Sequence, residues 1–151
     1  FDGARAVAVD DDGNVFIAGV SQGPVVTADA SSGISGFDMF DIVVMKYNKN
    51  GEELWVTRYY GENISTKVLG LALDKKANIY VTGSTWVVNK GSDFFTMKYD
   101  SQGKEQWIIH HEAPVWAVAV NSEGNVYVAA GRGTENEQAD LVIVKYPPEK
   151  K

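Results

Sequence analysis

A pattern with a period of about 50 residues recurs three times along the chain, and this constrains the fold more than any single residue does. The segment AVAVDDDGNVFIAG (6–19) returns as GLALDKKANIYVTG (70–83) and as AVAVNSEGNVYVAA (117–130). A second block, DIVVMKYNKNGEELW (41–55), returns as DFFTMKYDSQGKEQW (93–107) and, truncated, as DLVIVKYPPEKK (140–151). Asn14 to Asn78 spans 64 residues and Asn78 to Asn125 spans 47, whereas Lys46 to Lys98 spans 52 and Lys98 to Lys145 again 47. The first copy therefore holds 12 extra residues between its two blocks, within residues 20–40.

Each copy reads as four strands. AVAV leads through a tight turn at Asp10–Asn14 into VFIAG, and Gly13 and Gly124 suit turn positions that need positive φ. DIVVMKY leads through NKNG or DSQG into a fourth strand, ELWVTRYY or EQWIIHHE, with Val, Ile, Phe, Tyr and Trp supplying β-propensity. The third strand is apolar at consecutive positions, Ile42 to Met45, as expected of a strand covered on both faces. Small residues recur on one face of the first strand: Ala6, Gly70 and Ala117, then Ala8, Ala72 and Ala119. That suits an innermost strand crowded near a central axis. Repeat boundaries fall at about 1–65, 66–112 and 113–151, within one domain.

Composition narrows the class. Twenty acidic against 14 basic residues give a net charge of −6, and the basic ones are scattered, which argues against a nucleic-acid partner or a basic membrane-surface module. No apolar run approaches the ~18 residues of a membrane-spanning helix, and no signal peptide is recognisable, so no membrane insertion is expected of the chain as given. Cysteine is absent, which removes disulfides, thiolate metal ligands and cysteine nucleophiles. A start at Phe1, entering a strand pattern almost at once, points to an excised or processed piece of something longer.

Three signatures resemble a known family, the β-propeller repeats (SBBP type) of bacterial and archaeal, often surface-associated, proteins. Gly13-Asn14-Val15, Tyr80-Val81-Thr82-Gly83 and Gly124-Asn125-Val126-Tyr127-Val128 carry the first; Lys46-Tyr47, Lys98-Tyr99 and Lys145-Tyr146 carry the second. Gly51 with Trp55 and Gly103 with Trp107 carry the third, which is also similar to the tryptophan-docking turn of quinoprotein-type propellers. The resemblance implies an all-β fold of propeller blades: three tandem four-stranded antiparallel repeats, the third lacking its outer strand. Three blades fall short of the four to eight of a typical ring. The expectation is half of a six-bladed ring closed by a homodimer, or a fragment of a larger propeller completed by other blades. Pro147, Pro148 and the Glu149-Lys150-Lys151 tail would blunt the unpaired edge.

Most recurring residues read as structural. Trp55 and Trp107 are expected to lock adjacent blades; burying ~150–250 Å² each is worth about 4–6 kcal/mol at ~25 cal/mol per Å². Asp41, Asp93 and Asp140 open the third strand in every copy and Lys46, Lys98 and Lys145 follow five residues later, a repeated architectural duty such as fixing a turn or bonding to the neighbouring blade. Asp10, Asp12 and Asn14 resemble the opening of a calcium loop but lack its later bidentate acid, so calcium is the one weak cofactor candidate and a plain turn the stronger reading. His110 and His111 are strand neighbours pointing to opposite faces, which disfavours a shared metal.

No nucleophile–base constellation, P-loop or dinucleotide fingerprint is present, so no catalytic residue is assigned. Alternating strand direction places the 20–40, 84–92 and 131–139 loops at one end, with Asp29, Phe37, Trp86, Lys90 and Arg132 as candidate ligand-binding residues. The expected function is a non-catalytic scaffold, secreted or on the cell surface, that binds a protein or glycan through that end. The alternative is part of a propeller enzyme, a lyase, glycosidase or quinoprotein-like protein, whose active site other blades complete.

Overall fold

The computed structural model describes residues 3–22, 40–59, 65–87, 91–132 and 140–147. Eleven strands form three antiparallel sheets. The first holds β1 (Gly3–Val9), β2 (Val15–Gln22), β3 (Phe40–Tyr47) and β4 (Glu53–Tyr59), each paired with the next. The second repeats that order with β5 (Ser65–Leu73), β6 (Ile79–Val87), β7 (Gly91–Tyr99) and β8 (Glu105–His111). The third has β9 (Val115–Val120), β10 (Val126–Arg132) and β11 (Asp140–Tyr146), with no fourth strand among the described residues. The expected fold class therefore holds: the chain is all-β, and its sheets are propeller blades.

The same turn closes the hairpins at one end of every blade. In each, Oδ1 of the opening Asp or Asn (Asp10, Asn48, Asp74, Asp100, Asn121) accepts the backbone N–H groups two and four residues on, at 2.8–3.1 Å. This is the Asx turn, which satisfies amides that a bare hairpin bend leaves unpaired. The fourth residue is left-handed: Gly13, Gly51, Gly103 and Gly124 have φ of 80–85°, and Ala77 takes φ 56° in the remaining turn.

The sheets stack through opposite faces. Because side chains alternate, the even-numbered residues of β2 and β3 (Phe16, Ala18, Val20, Ile42, Val44) form one face of blade 1, here called its forward face. They pack in one core with Ile79, Val81, Phe95, Met97 and Tyr99 on the back face of blade 2. The forward face of blade 2 presents Tyr80, Phe94 and Trp107 to Val126, Val128 and Ala130 on the back of blade 3. Both faces of the middle blade are thus covered.

The blades approach one another along their innermost strands, β1 against β5 and β5 against β9. A Cβ on Gly70 would lie 3.2 Å from the Val118 amide nitrogen and 3.4 Å from the Ala117 Cα, so the recurring small residues mark the crowded axis. Each inner strand also bulges at one equivalent residue, Arg5, Leu69 or Trp116, which the repeat pattern did not reveal.

Left-handed backbone costs an alanine ~1–2 kcal/mol that glycine avoids. Ala77→Gly is expected to stabilise the protein by about 1 kcal/mol and Gly13→Ala to destabilise it by a similar amount, read as opposite shifts of the urea unfolding midpoint.

Candidate functional site

The recurring tryptophan is built into the interface between blades. Trp55, on β4, donates its indole N–H to the Ser101 carbonyl at 3.3 Å, in the β7–β8 turn of the next blade, and its ring meets Phe16 edge-on at 6.3 Å. A Cβ on Gly103 would lie 2.8 Å from the Trp55 ring, so glycine there serves both the turn and the indole stacked on it. At the equivalent Gly51 of blade 1 a Cβ would meet no atom within 4 Å. Trp107 repeats the contact with Tyr80 at 6.0 Å, but it borders a cleft of about 290 Å³ also lined by Asp74, Lys98, Gly124 and Pro147.

The recurring lysines sit over aromatic rings. The Lys46, Lys98 and Lys145 Nζ atoms stand 4.9, 5.5 and 5.7 Å from the ring centroids of Phe16, Tyr80 and Tyr127. Each ring lies directly across from its lysine on the second strand, and a cation above a ring face is attracted by its quadrupole. The recurring acids divide. Asp41 is buried, which pushes its carboxyl above the usual range against the pull of the Arg58 charge. Asp93 pairs with His110 Nδ1 at 2.9 Å on the adjacent strand β8. Asp140 opens β11 opposite Arg132. In blades 1 and 2 the acid thus faces a basic residue of the fourth strand, Arg58 or His110.

Asp10, of the calcium candidates, turns its carboxylate inward: Oδ1 takes the N–H groups of Asp12 and Asn14, and Oδ2 takes the Asn14 side-chain amide at 2.8 Å. Burial pushes this carboxyl up, but those bonds and the Lys46 charge outweigh it and leave it below the usual range. Neutral Asn121 makes the same turn bonds, so the turn does not require the charge. Among the described residues, no three histidines or carboxylates are placed to hold a metal ion.

Of the loop-end candidates, Trp86 is the last but one residue of β6 and is 45% exposed, and the backbone of Arg132 ends β10. Asp29, Phe37 and Lys90 lie outside the described residues, as do residues 23–39, 88–90 and 133–139 of the 20–40, 84–92 and 131–139 segments.

His111 forms a chain that sequence reasoning missed. Thr82 Oγ1 donates to the Phe95 carbonyl at 2.8 Å, so the 3.2 Å contact between Thr82 and Thr96 must use the Thr96 hydrogen. His111 Nε2, 2.8 Å from Thr96 Oγ1, must then donate, and Nδ1 accepts the Tyr146 hydroxyl of blade 3 at 3.2 Å. In the neutral ring, with its hydrogen on Nε2, Nδ1 is the acceptor for the Tyr146 hydroxyl. Burial and the neighbouring His110 lower the His111 pKa, against an upward pull from Asp93.

A histidine held neutral in the fold contributes fully above its unfolded pKa, about 6.5, and loses that contribution as pH falls through this value towards the lower folded one. Stability measured by denaturant titration is expected to drop between pH 7 and pH 5, and His111→Gln to flatten the drop. For the tryptophan seat, Gly103→Ala is expected to cost ~1–2 kcal/mol more than Gly51→Ala, because both lose left-handed freedom but only the first collides with an indole.

Comparison with known proteins agrees with this geometry. The β-propeller repeat family matches residues 54–89, from Trp55's strand through the first two strands of blade 2. An uncharacterized WD repeat-containing protein of Acanthamoeba polyphaga mimivirus is 28% identical over 160 residues, covering 87% of this chain and 11% of that protein. A crystal structure of a protein of unknown function from Bacteroides caccae superposes with a TM-score of 0.53 at 12% identity, over 98% of this chain and 47% of that one. The chain thus spans about a tenth of the curated relative and about half of the solved one, and the latter likeness concerns the fold alone. Residues 54–89 match the β-propeller repeat, and the three stacked antiparallel sheets of four, four and three strands are consistent with blades of that pattern.

Proposed function

We propose that this protein is a non-catalytic β-propeller repeat module, a scaffold that holds a varied loop end for binding a protein or glycan. One observation carries the reading: the three copies agree where blades touch and differ at the loop end. The rings beneath the lysines, Phe16, Tyr80 and Tyr127, are all aromatic, and the turns are one motif. At the loop end the bulge residues are Arg5, Leu69 and Trp116, Gln22 is replaced by Trp86, and Arg58 by His110. A bulge re-aims its side chain out of the ladder, and binding groups are carried at such rims above a rigid frame. Trp86 pairs with Ser92, the residue before Asp93 of the Asp93–His110 pair on the same blade.

The reading separates frame from rim. Arg5→Ala and Trp86→Ala are expected to change unfolding free energy by no more than about 0.5 kcal/mol, whereas Trp55→Ala costs about 3 kcal/mol. A ligand found for the chain on a glycan array, or by capture of a protein partner, is expected to bind Trp86→Ala at least roughly tenfold more weakly. Rim variants that unfold as readily as Trp55→Ala would make the rim part of the frame and overturn the reading.

A further inference from the structure

The stack ends in two faces that its own interior shows how to cover. On the forward face of blade 1, Ile42 and Val44 are 1% and 0% exposed beneath blade 2. The register places Leu141 and Ile143 at the same positions of blade 3, and they are 76% and 66% exposed. Trp116 joins them at 58% exposure, its ring against Gly131 on that same face. On the back face of blade 2, Leu71, Leu73 and Ile108 pack into the first core. Their counterparts on blade 1, Val7, Val9 and Val56, are 65%, 59% and 39% exposed.

Six of the nine exposed large apolar side chains among the described residues therefore lie on these two faces. Single exposed apolar residues are ordinary, but a contiguous face of them is an interaction surface. The faces are also complementary in kind, since a forward face covers a back face at both interfaces inside the chain. Lys145 already stands over Tyr127 as Lys46 and Lys98 stand over their rings beneath a following blade.

We infer that the occupant of each face is a second copy of this chain: the forward face of blade 3 docks on the back face of blade 1 of its partner, and the reciprocal contact closes the pair. Such a head-to-tail contact makes a ring when its rotation closes and an open fibre when it does not. Two copies bring twice the three sheets, which lies within the range of closed propellers. The inference goes beyond the rim reading; the two share only Trp116, which neither set of variants alters.

Sedimentation equilibrium or light scattering on the intact chain tests the inference. The expected mass is twice 16.5 kDa. Val7→Asp and Leu141→Asp each place a carboxylate at the contact and are expected to weaken self-association at least roughly tenfold, with unchanged far-UV circular dichroism showing that the blades still fold. Because the contact is head-to-tail, mixing the two variants leaves one undamaged interface, the forward face of Val7→Asp on the back face of Leu141→Asp, and restores a dimer. A monodisperse monomer, which would assign the faces to other blades, overturns the inference. So do an open series of masses beyond two copies and a mixture that fails to associate.

Discussion

Apolar packing of one blade's forward face on the next blade's back face is the interaction on which the rest depends. An isolated four-stranded sheet of this length has two apolar faces and too little depth to bury either. Stacking buries Phe16, Ile42, Val44, Ile79, Val81, Phe95 and Met97 together, each contributing roughly 1.5–3 kcal/mol. The indole of Trp55 then adds direction: its N–H reaches a carbonyl in the next blade's turn, so the two sheets meet in one register. Lys46 lies over Phe16 on that same face.

Two local devices make the stacking repeatable. The Asx turns pin the hairpin end of every blade with the same amide bonds, whether the acceptor is an acid or a neutral amide. The bulges at Arg5, Leu69 and Trp116 do the opposite at the other end, breaking strict alternation and turning one side chain out. One end of the module is therefore fixed by backbone chemistry, and the other is open to variation. The His111 chain adds a polar tie, joining the two threonines of blade 2 to Tyr146 of blade 3 through a neutral imidazole.

Much of this was legible in the residues. The offsets between Asn14, Asn78 and Asn125 gave the number of units, and Gly13 and Gly124 marked turns because few other residues accept positive φ. Trp55 and Trp107 were readable as interblade groups because each follows a glycine turn at one spacing. Less was legible where a role depends on a partner far along the chain. The recurrence of Asp41 and Asp93 suggested one duty, yet one carboxylate is buried and raised while the other sits half-exposed beside a histidine. The bulges escaped because a single inserted residue leaves the apolar pattern on either side intact. His111 read only as half of an unsuitable metal pair, since its partners Thr96 and Tyr146 come from another strand and another blade.

The sequence by itself determined the repeat, its strands, its turns and its all-β class, because period, alternation and turn chemistry are local properties of the chain. Tertiary structure decided what the copies do not share. It set which face of each sheet meets which neighbour, and which of two equivalent acids is desolvated. It also set which apolar residues end the stack uncovered. Ile42 and Leu141 occupy the same place in the repeat and differ little in chemistry. One is core and the other surface because burial depends on whether another blade lies against the face, which no residue encodes alone.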